Sequence, residues 1–222
     1  MNHYVIIVAG GSGKRMGSKL PKQFIEINKK PIIFHTIERF LAFSSSVHFI
    51  IALHEDYQNL FEDYYKQWNY TFNYEFSLSG KERFDTVKNA LEKVKEGVVG
   101  IHDAVRPFVS KETIENCLDE LKKSSGVVPV IDLVDSIRQV NQDGSIALNR
   151  SYYKLVQTPQ YFHAALIKKA YEVNFSSQFT DDASVFEHTG NKISVVEGNE
   201  ENIKITTPKD LVLAEYFLKS IV

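Results

Sequence analysis

The chain has 222 residues, a single cysteine and a formal net charge of −2. This length can bury a hydrophobic core without cross-links, and one cysteine excludes an intrachain disulfide framework and fits a reducing compartment. The near-neutral charge argues against non-specific adhesion to nucleic acid or membranes, and the N-terminus lacks the basic stretch and long apolar run of a secretory signal. We therefore expect a cytoplasmic protein that binds neither nucleic acid nor membrane.

Strand and helix patterns alternate along most of the chain. The predicted strands span residues 4–8, 47–53, 74–78, 98–101, 126–131 and 192–196. The predicted helices span residues 31–41, 55–68, 84–95, 111–123, 163–173, 180–186 and 211–218, with Thr180 and Thr207 as candidate caps. This alternation predicts parallel βαβ units, and hence an α/β fold, and no linker between independent domains is apparent.

The alternation stops over about residues 133–158. Asp143-Gly144 lies there between two stretches of alternating apolar residues, which is typical of a β-hairpin. We interpret this region as an extended β-arm that leaves the core. Because such an arm exposes apolar strand edges, we expect it to pack on another subunit.

A glycine-rich loop follows the first predicted strand, where residues 8–17 read Val-Ala-Gly-Gly-Ser-Gly-Lys-Arg-Met-Gly. Glycines allow backbone N–H groups to approach and surround an oligophosphate. The loop is not a Walker A motif, because Val8 stands where the first glycine is required, and Met16 replaces the third glycine of the dinucleotide fingerprint. Arg15 and Lys22 add two cations nearby, so we favour a nucleoside triphosphate site over a solvated turn.

Three further stretches carry polar groups. Residues 102–108 lie at the end of a predicted buried strand. Two interpretations stay open: the cluster binds a ribose hydroxyl, a metal or a phosphate, or it is only a turn with an ion pair on the surface. For residues 180–182 three roles stay open: binding a metal, binding a phosphate, or capping a helix. Lys204 lies between two isoleucines in an alternating stretch, so it points away from them, either inward to an anionic partner or outward to solvent.

Other catalytic patterns are absent from the sequence. The seven histidines show no zinc-binding spacing, and no Gly-x-Ser-x-Gly elbow occurs. Cys117 falls within a predicted helix and is interpreted as a core residue. The sequence therefore predicts no metal held by a cluster of protein ligands.

Together these motifs resemble the 2-C-methyl-D-erythritol 4-phosphate cytidylyltransferase family of the non-mevalonate isoprenoid pathway, a branch of the nucleotidyltransferases. The matching stretches are residues 9–17, 21–24, 102–108, 157–160, 180–184 and 197–208, in the family's order and over nearly the whole chain. The resemblance implies a Rossmann-like three-layer sandwich with a mostly parallel central sheet in a single domain over residues 1–222. It also implies a homodimer joined by the β-arm.

The resemblance further implies CTP, a polyol phosphate acceptor, and Mg²⁺ held mainly by the CTP phosphates. CMP would pass to methylerythritol phosphate by in-line attack on the α-phosphate, with release of pyrophosphate. The residues implied to be catalytic are Arg15, Lys22 and Lys204. Those implied to bind the nucleotide are Ala9, Gly10, Gly11, Ser12, Gly13, Gly80, Thr86, Asp103 and Ala104. Those implied to bind the acceptor are Arg106, Thr158 and Thr180, with Ser136 and Arg150 reaching the partner subunit's site from the arm.

Two positions depart from the family pattern, and several alternatives stay open. Lys81 stands where an acidic residue is common, and Ser136 where threonine is usual. The nearest alternative is a ribitol 5-phosphate cytidylyltransferase, although Arg150 and the complete run over 180–184 favour methylerythritol. A sugar-1-phosphate nucleotidyltransferase fits the Gln-Thr-Pro-Gln run less well. An FAD or NAD enzyme would need the third glycine that Met16 replaces here. A non-catalytic nucleotide-binding regulator would not need the three cationic residues Arg15, Lys22 and Lys204.

Overall fold

The computed structural model describes residues 2–11 and 20–220. Its strands are β1 (His3–Val8), β2 (Glu26–Ile27), β3 (Lys30–Pro31), β4 (His48–Leu53), β5 (Tyr74–Leu78), β6 (Val98–Asp103), β7 (Gly126–Asp132), β8 (Ile137–Asn141), β9 (Gly144–Leu148), β10 (Lys154–Val156), β11 (Gln160–His163) and β12 (Ser194–Glu197). Its α-helices are α1 (Ile32–Phe43), α2 (Gln58–Gln67), α3 (Arg83–Lys93), α4 (Lys111–Leu121), α5 (Ala164–Ala170), α6 (Asp182–His188) and α7 (Pro208–Ser220). None of the helices in this part of the chain is both long and apolar enough to cross a membrane.

The central sheet has the strand order β10-β7-β11-β6-β1-β4-β5, with β12 also paired to β7. β1 pairs in parallel with both β4 and β6, and β4 pairs in parallel with β5. Only β10 and β11 run antiparallel to their neighbours in this sheet. The chain moves outward from β1 through β4 to β5 and then returns to the other side of β1, which creates a switch point at the carboxyl ends of these strands.

Helices cover both faces of the sheet because its central strands are apolar on both sides. Val5 and Ile7 of β1 share a core with α1, α2 and α4. Tyr4 and Ile6 point the other way and share a core with α3, α5 and α6, as the alternation of side chains along a strand requires. The predicted α/β three-layer sandwich with a mostly parallel sheet is therefore confirmed. Cys117 is fully buried in the first of these cores, as predicted.

Three local details differ from the prediction. Residues 160–163 form the strand β11, which was not predicted, and α5 begins at Ala164, one residue after the predicted start of this helix. Such a short strand carries too few residues for its period to show. The segment over 55–68 begins as a 3₁₀ turn before α2. Asp181, not Thr180, caps α6, because its carboxylate accepts a hydrogen bond from the backbone N–H of Ser184 at 2.9 Å.

The predicted arm contains a hairpin separate from the central sheet. β8 and β9 pair only with each other among the described strands. Gly144 follows the turn with φ of 137°, a backbone conformation that other residues rarely adopt. Val140 and Ile146 are 76% and 57% exposed. A two-stranded hairpin is marginally stable alone in water, so these apolar side chains lack the support that a third layer would give.

Candidate active site

A cleft of about 410 Å³ opens at the carboxyl ends of β1, β5 and β6. It lies at the switch point of the sheet, where open α/β folds bind their ligands. The side chains and backbone that line it come from five separated stretches of sequence. The lining residues are Val8, Ala9, Gly10, Gly11, Lys22, Gln23, Gly80, Lys81, Glu82, Arg83, Thr86, Asp103, Ala104, Val105 and Lys204.

Two glycines bring the walls of this cleft close together. A methyl group added at Gly10 would lie 2.9 Å from Cβ of Ser79 and 3.1 Å from Oγ1 of Thr86, so the loop after β1 tolerates no side chain there. The backbone N–H of Gly80 donates to Oγ1 of Thr86 at 2.9 Å. A methyl group at Gly80 would lie 2.2 Å from Cβ of Asp85. The result is a tight junction between the loop after β1 and the segment that leads into α3.

Gln23 connects the glycine loop to the segment that carries Lys22. Its side chain is buried, and Nε2 donates to the carbonyl oxygen of Ala9 at 2.5 Å. A methyl group at Gly11 would lie 4.0 Å from Cε of Lys22, so the lysine stem runs alongside the loop. The sequence analysis missed this glutamine. Glutamine is mostly exposed in proteins, so its residue type gave no indication of burial.

Asp103 lies among three cationic side chains. Its Oδ2 is 2.9 Å from Nζ of Lys204 and 3.3 Å from Nε of Arg106, and its Oδ1 is 3.8 Å from Nε of Arg83. Burial raises the pKa of Asp103, but Lys204, Arg83 and Arg106 lower it by more, to well below its ordinary value. Asp103 is therefore a carboxylate at neutral pH. Lys204 points inward to this anionic partner, which decides between the two orientations that the sequence allowed.

Arg83 is held by a second, fully buried carboxylate. Its two terminal nitrogens donate to the two oxygens of Asp182 at 2.8 and 2.7 Å, and the hydroxyl of Tyr171 donates to the same carboxylate at 2.6 Å. Burial alone would lower the pKa of Arg83, but Asp182 and then Asp103 raise it above its ordinary value. Sequence analysis missed Arg83 as a cleft residue. It also left open a metal-binding role for residues 181 and 182, which here cap a helix and pair with arginine.

A buried histidine supports the loop that carries Asp103. The backbone N–H of Asp103 donates to Oγ1 of Thr158 at 3.1 Å, and that hydroxyl lies 3.0 Å from Nδ1 of His102. Nε2 of His102 lies 3.0 Å from the carbonyl oxygen of Arg106. Burial lowers the pKa of His102 to about 4, so the imidazole is neutral at pH 7. One tautomer satisfies every group: Nε2–H donates to Arg106, and Nδ1 accepts from Thr158.

The structure brings most of the predicted site residues together. Those that line the cleft are Ala9, Gly10, Gly11, Lys22, Gly80, Thr86, Asp103, Ala104 and Lys204. Arg106 and Thr158 contact Asp103 as described. Ser136 and Arg150 on the arm, and Thr180 before α6, are exposed and do not line the cleft of their own chain. Ser12, Gly13 and Arg15 lie outside the described residues.

The described side chains around the cleft offer few ligands for a metal ion. Within residues 2–11 and 20–220, no group of three or more His, Cys, Asp or Glu side chains is placed to hold a metal ion. Asp103 is the carboxylate at the centre of the cationic cluster, and Glu82 lies on the cleft wall. This set fits at most an ion that brings most of its own ligands with it, as Mg²⁺ does when it is bound to substrate phosphates.

Comparison with known proteins identifies the family. The family model described as 2-C-methyl-D-erythritol 4-phosphate cytidylyltransferase matches residues 3–220. A protein of that name from Phocaeicola vulgatus is 47% identical over 219 residues, which cover 98% of this chain and 100% of the relative. One from Porphyromonas gingivalis is 39% identical, with 98% of each chain covered. A solved 4-diphosphocytidyl-2C-methyl-D-erythritol synthase from Anaerococcus prevotii is similar with a TM-score of 0.84 at 27% identity, again over 98% of both chains. The motifs, the sheet topology and these relatives agree, and the chain belongs to the 2-C-methyl-D-erythritol 4-phosphate cytidylyltransferase family.

Proposed function

We propose that this protein transfers CMP from CTP to 2-C-methyl-D-erythritol 4-phosphate, giving 4-diphosphocytidyl-2-C-methyl-D-erythritol and pyrophosphate. The observation that supports this proposal most directly is the convergence of Lys22, Lys204 and the glycine loop on one cleft. Family membership favours methylerythritol phosphate over ribitol 5-phosphate as the acceptor. It also favours an enzyme over a non-catalytic nucleotide-binding protein.

The chemistry requires cations more than it requires a base. The nucleophile is a phosphate monoester that is already ionised at neutral pH, so no proton must be removed before attack. One of its oxygens forms a bond to the α-phosphorus of CTP, and the bond from that phosphorus to the bridging oxygen breaks as pyrophosphate departs with the electron pair. The barrier is the repulsion between two anions, which Lys22, Lys204 and Arg15 would reduce by placing positive charge around the α-phosphate.

The nucleotide would lie along the glycine loop. The backbone N–H groups of the loop from Gly10 onward would face the triphosphate, because the N–H of Ala9 already donates to the carbonyl oxygen of Ala52 at 2.9 Å. The part of the cleft beside Gly80 and Thr86 would receive the cytosine ring. Asp103 and Ala104 would lie next to the ribose. Asp103 has a second role in this scheme, because its carboxylate holds Lys204 within the cleft at 2.9 Å before any phosphate is present.

Mg²⁺ would enter with CTP and be held mainly by the phosphates. When bound, the ion neutralises part of the triphosphate charge and stabilises the departing pyrophosphate. The acceptor would be bound by Arg106 and Thr180, with Thr158 at the end of the hydrogen-bond chain behind Asp103. Glu82 and Lys81 lie on the same wall of the cleft, and their side chains give it a mixed charge.

The arm would join two copies of the chain. Its apolar side chains are unusually exposed for an isolated protomer: Val134 is 78% exposed and Tyr152 is 84% exposed. Ser136 and Arg150 do not line the cleft of their own chain, which is expected if they complete the cleft of the partner subunit. The molecular mass in solution tests this part of the proposal.

Two lysine substitutions test the proposed chemistry. Lys22→Ala and Lys204→Ala should each lower kcat on the order of 10²-fold, the usual cost of losing one preorganised charge partner of the transition state. The matched control is Lys209→Ala, because Lys209 is exposed on α7 and does not line the cleft. Pyrophosphate release is measured with CTP and methylerythritol phosphate, and thermal unfolding verifies that each variant is folded. Full activity in both cleft variants would contradict the proposed mechanism.

The acceptor is tested with the unaltered protein. CTP, UTP and ATP are each combined with methylerythritol phosphate, ribitol 5-phosphate and a hexose 1-phosphate. We expect turnover with CTP and methylerythritol phosphate to exceed all other combinations. Equal or faster turnover with ribitol 5-phosphate would overturn the assignment of the acceptor while leaving the cytidylyl transfer in place.

A further inference from the structure

We propose that Asn202 and Gln157 are positioning residues that fix Lys204 in the cleft. This inference rests on the catalytic role proposed for Lys204. The sequence motif over residues 157–160 was singled out only as a mark of the family, and Asn202 was not assigned any task. In the structure both side chains share one task, because they anchor the loop that leads to Lys204.

Asn202 holds the loop from the N-terminal side of Lys204. Its Nδ2 donates to the carbonyl oxygen of Thr158 at 2.8 Å and to Oε1 of Gln157 at 3.3 Å. Its own carbonyl oxygen accepts a hydrogen bond from Nη1 of Arg106 at 2.7 Å. These bonds fix the backbone two residues before the lysine.

A backbone contact holds the loop on the other side of Lys204. The N–H of Ile205 donates to the carbonyl oxygen of Val105 at 2.9 Å, and the side chain of Ile205 is fully buried. The segment from residue 198 to residue 205 is neither helix nor strand, so no regular ladder of hydrogen bonds supports it. Backbone hydrogen bonds tie its two ends, from Gly198 to Val130 and from Ile205 to Val105, and side-chain contacts hold the residues between them.

Gln157 anchors the beginning of the same loop. Its Nε2 donates to the carbonyl oxygen of Asn199 at 2.9 Å, and its backbone N–H donates to the carbonyl oxygen of Pro129 on β7 at 2.9 Å. A methyl group added to Gly198 would lie 2.4 Å from Oε1 of Gln157, so the glutamine and the loop pack without a gap. Gln157 thereby fixes the beginning of the loop relative to β7.

Asn202 also aligns Lys204 with Asp103. The residue that accepts its hydrogen bond, Thr158, uses its side chain to hold the backbone N–H of Asp103 at 3.1 Å. Lys204 and Asp103 are thus fixed to the same short segment, and their charged atoms meet at 2.9 Å. Moving Asn202 would shift the ammonium group relative to both its carboxylate and the glycine loop.

The two ends of the Asn202 amide are used differently. Asn202 is fully buried, and within the described part of the chain its Oδ1 accepts no hydrogen bond. A buried acceptor without a partner is costly, but an apolar side chain here would leave the carbonyl oxygen of Thr158 and Oε1 of Gln157 without this donor. The N–H groups of the amide are therefore what this position requires.

The first test replaces the donors while keeping the shape. Asn202→Asp places an oxygen against the two oxygens that Nδ2 now contacts, and should lower kcat on the order of 10²-fold with KM for CTP changed much less, because a small displacement of a positioned group affects the transition state most. Gln157→Met, which introduces no charge, should shift kcat in the same direction. The matched control is Asn191→Asp, which removes an N–H donor to the carbonyl oxygen of Phe186 outside the cleft and should leave kcat unchanged.

The second test asks whether Asn202 acts through Lys204. In a Lys204→Ala background, Asn202→Asp should change kcat by no more than about twofold, because residues that act as one unit are not additive. Equal losses in both backgrounds would overturn the inference, as would kcat per folded molecule that stays unchanged while only Tm falls. Full activity of Lys204→Ala alone would instead overturn the proposed mechanism on which the inference rests.

A measurement that does not depend on turnover complements these activity assays. Lysine acetylation is followed by mass spectrometry in the free protein, with exposed Lys209 as the internal reference. Lys204 is partly protected by Asp103 at 2.9 Å, so its relative labelling rate should rise several-fold in both Asn202→Asp and Gln157→Met. An unchanged rate in both variants would overturn the positioning role even if activity falls.

Discussion

Removing the carboxylate that holds Arg83 should destabilise the protein strongly. Asp182 is fully buried and accepts two hydrogen bonds from Arg83 at 2.8 and 2.7 Å and one from Tyr171 at 2.6 Å. Asp182→Asn keeps the shape but leaves the guanidinium without its main anionic partner. Breaking one side of a buried ion pair costs about 3–5 kcal/mol. For a chain of this length that free energy corresponds to a fall in Tm of roughly 6–20 °C.

A surface pair of the same length supplies the control. Lys122 and Asp119 are 2.6 Å apart, but their side chains are 74% and 72% exposed. Asp119→Asn should therefore change the free energy of unfolding by less than about 1 kcal/mol, because water and salt screen such a pair. Urea unfolding followed by circular dichroism gives both values under the same conditions. The double variant Arg83→Met, Asp182→Leu should recover part of the loss, since it removes both charges together.

The comparison contrasts a buried network with an exposed pair. The hydrogen-bond distances are nearly equal, but Asp182 is fully buried and accepts three side-chain hydrogen bonds, whereas Asp119 is 72% exposed and accepts one. If Asp182→Asn lost no more stability than Asp119→Asn, the argument that burial determines the strength of these contacts would be refuted. If Asp182→Asn were strongly destabilised and the double variant lost still more, packing of the Asp182 side chain rather than charge balance would be the dominant effect.

Two further predictions concern pH and assembly. The pKa of His102 is about 4 when folded and 6.5 ordinarily, so the unfolded chain takes up its proton first as pH falls from 6.5 to 4. Stability should therefore decrease across that window by up to roughly 3 kcal/mol from this residue. The lowered pKa of Asp103 adds a further loss of stability only as the pH falls below the ordinary value of 3.8 for this group. Urea unfolding at pH 7 and 4.5 should show a smaller pH dependence in His102→Gln than in the unaltered protein, and identical dependences would contradict this account. Val140→Lys on the arm should convert a dimer to a monomer in sedimentation experiments, whereas Val212→Lys, at an equally exposed valine on α7, should not. A monomeric unaltered protein would refute the role of the arm.

The sequence predicts the parts of the fold that depend on local pattern. Buried strands such as β1 and β4 have continuous apolar runs, and the glycine loop after β1 has an unmistakable composition. Asp143-Gly144 likewise placed the arm hairpin, since turn chemistry is local. The short strand β11 escaped because four residues show no reliable period, and because its partners β6 and β7 are distant in sequence.

The site was predictable in composition but not in its connections. Lys22 was recognised as a cation near the glycine loop, and Asp103 and Lys204 as charged groups near strand ends. Which way Lys204 points, however, depends on a carboxylate 101 positions earlier. The pair of Arg83 and Asp182 joins residues 99 positions apart. Asn202 and Gln157 show nothing in local pattern that reveals their shared task. Such contacts arise only when the sheet brings distant loops to one edge, so one sequence without a fold cannot supply them.

The close packing at Gly10 and Gly80 has a consequence for how this protein can vary. At both positions even a single methyl group would collide with a neighbouring residue, so a substitution there would force the loop after β1 or the segment before α3 to move and would reshape the cleft. Lys81 and Glu82 line the same cleft with exposed side chains, so variation at these two positions alters the charge of the wall without displacing the loops.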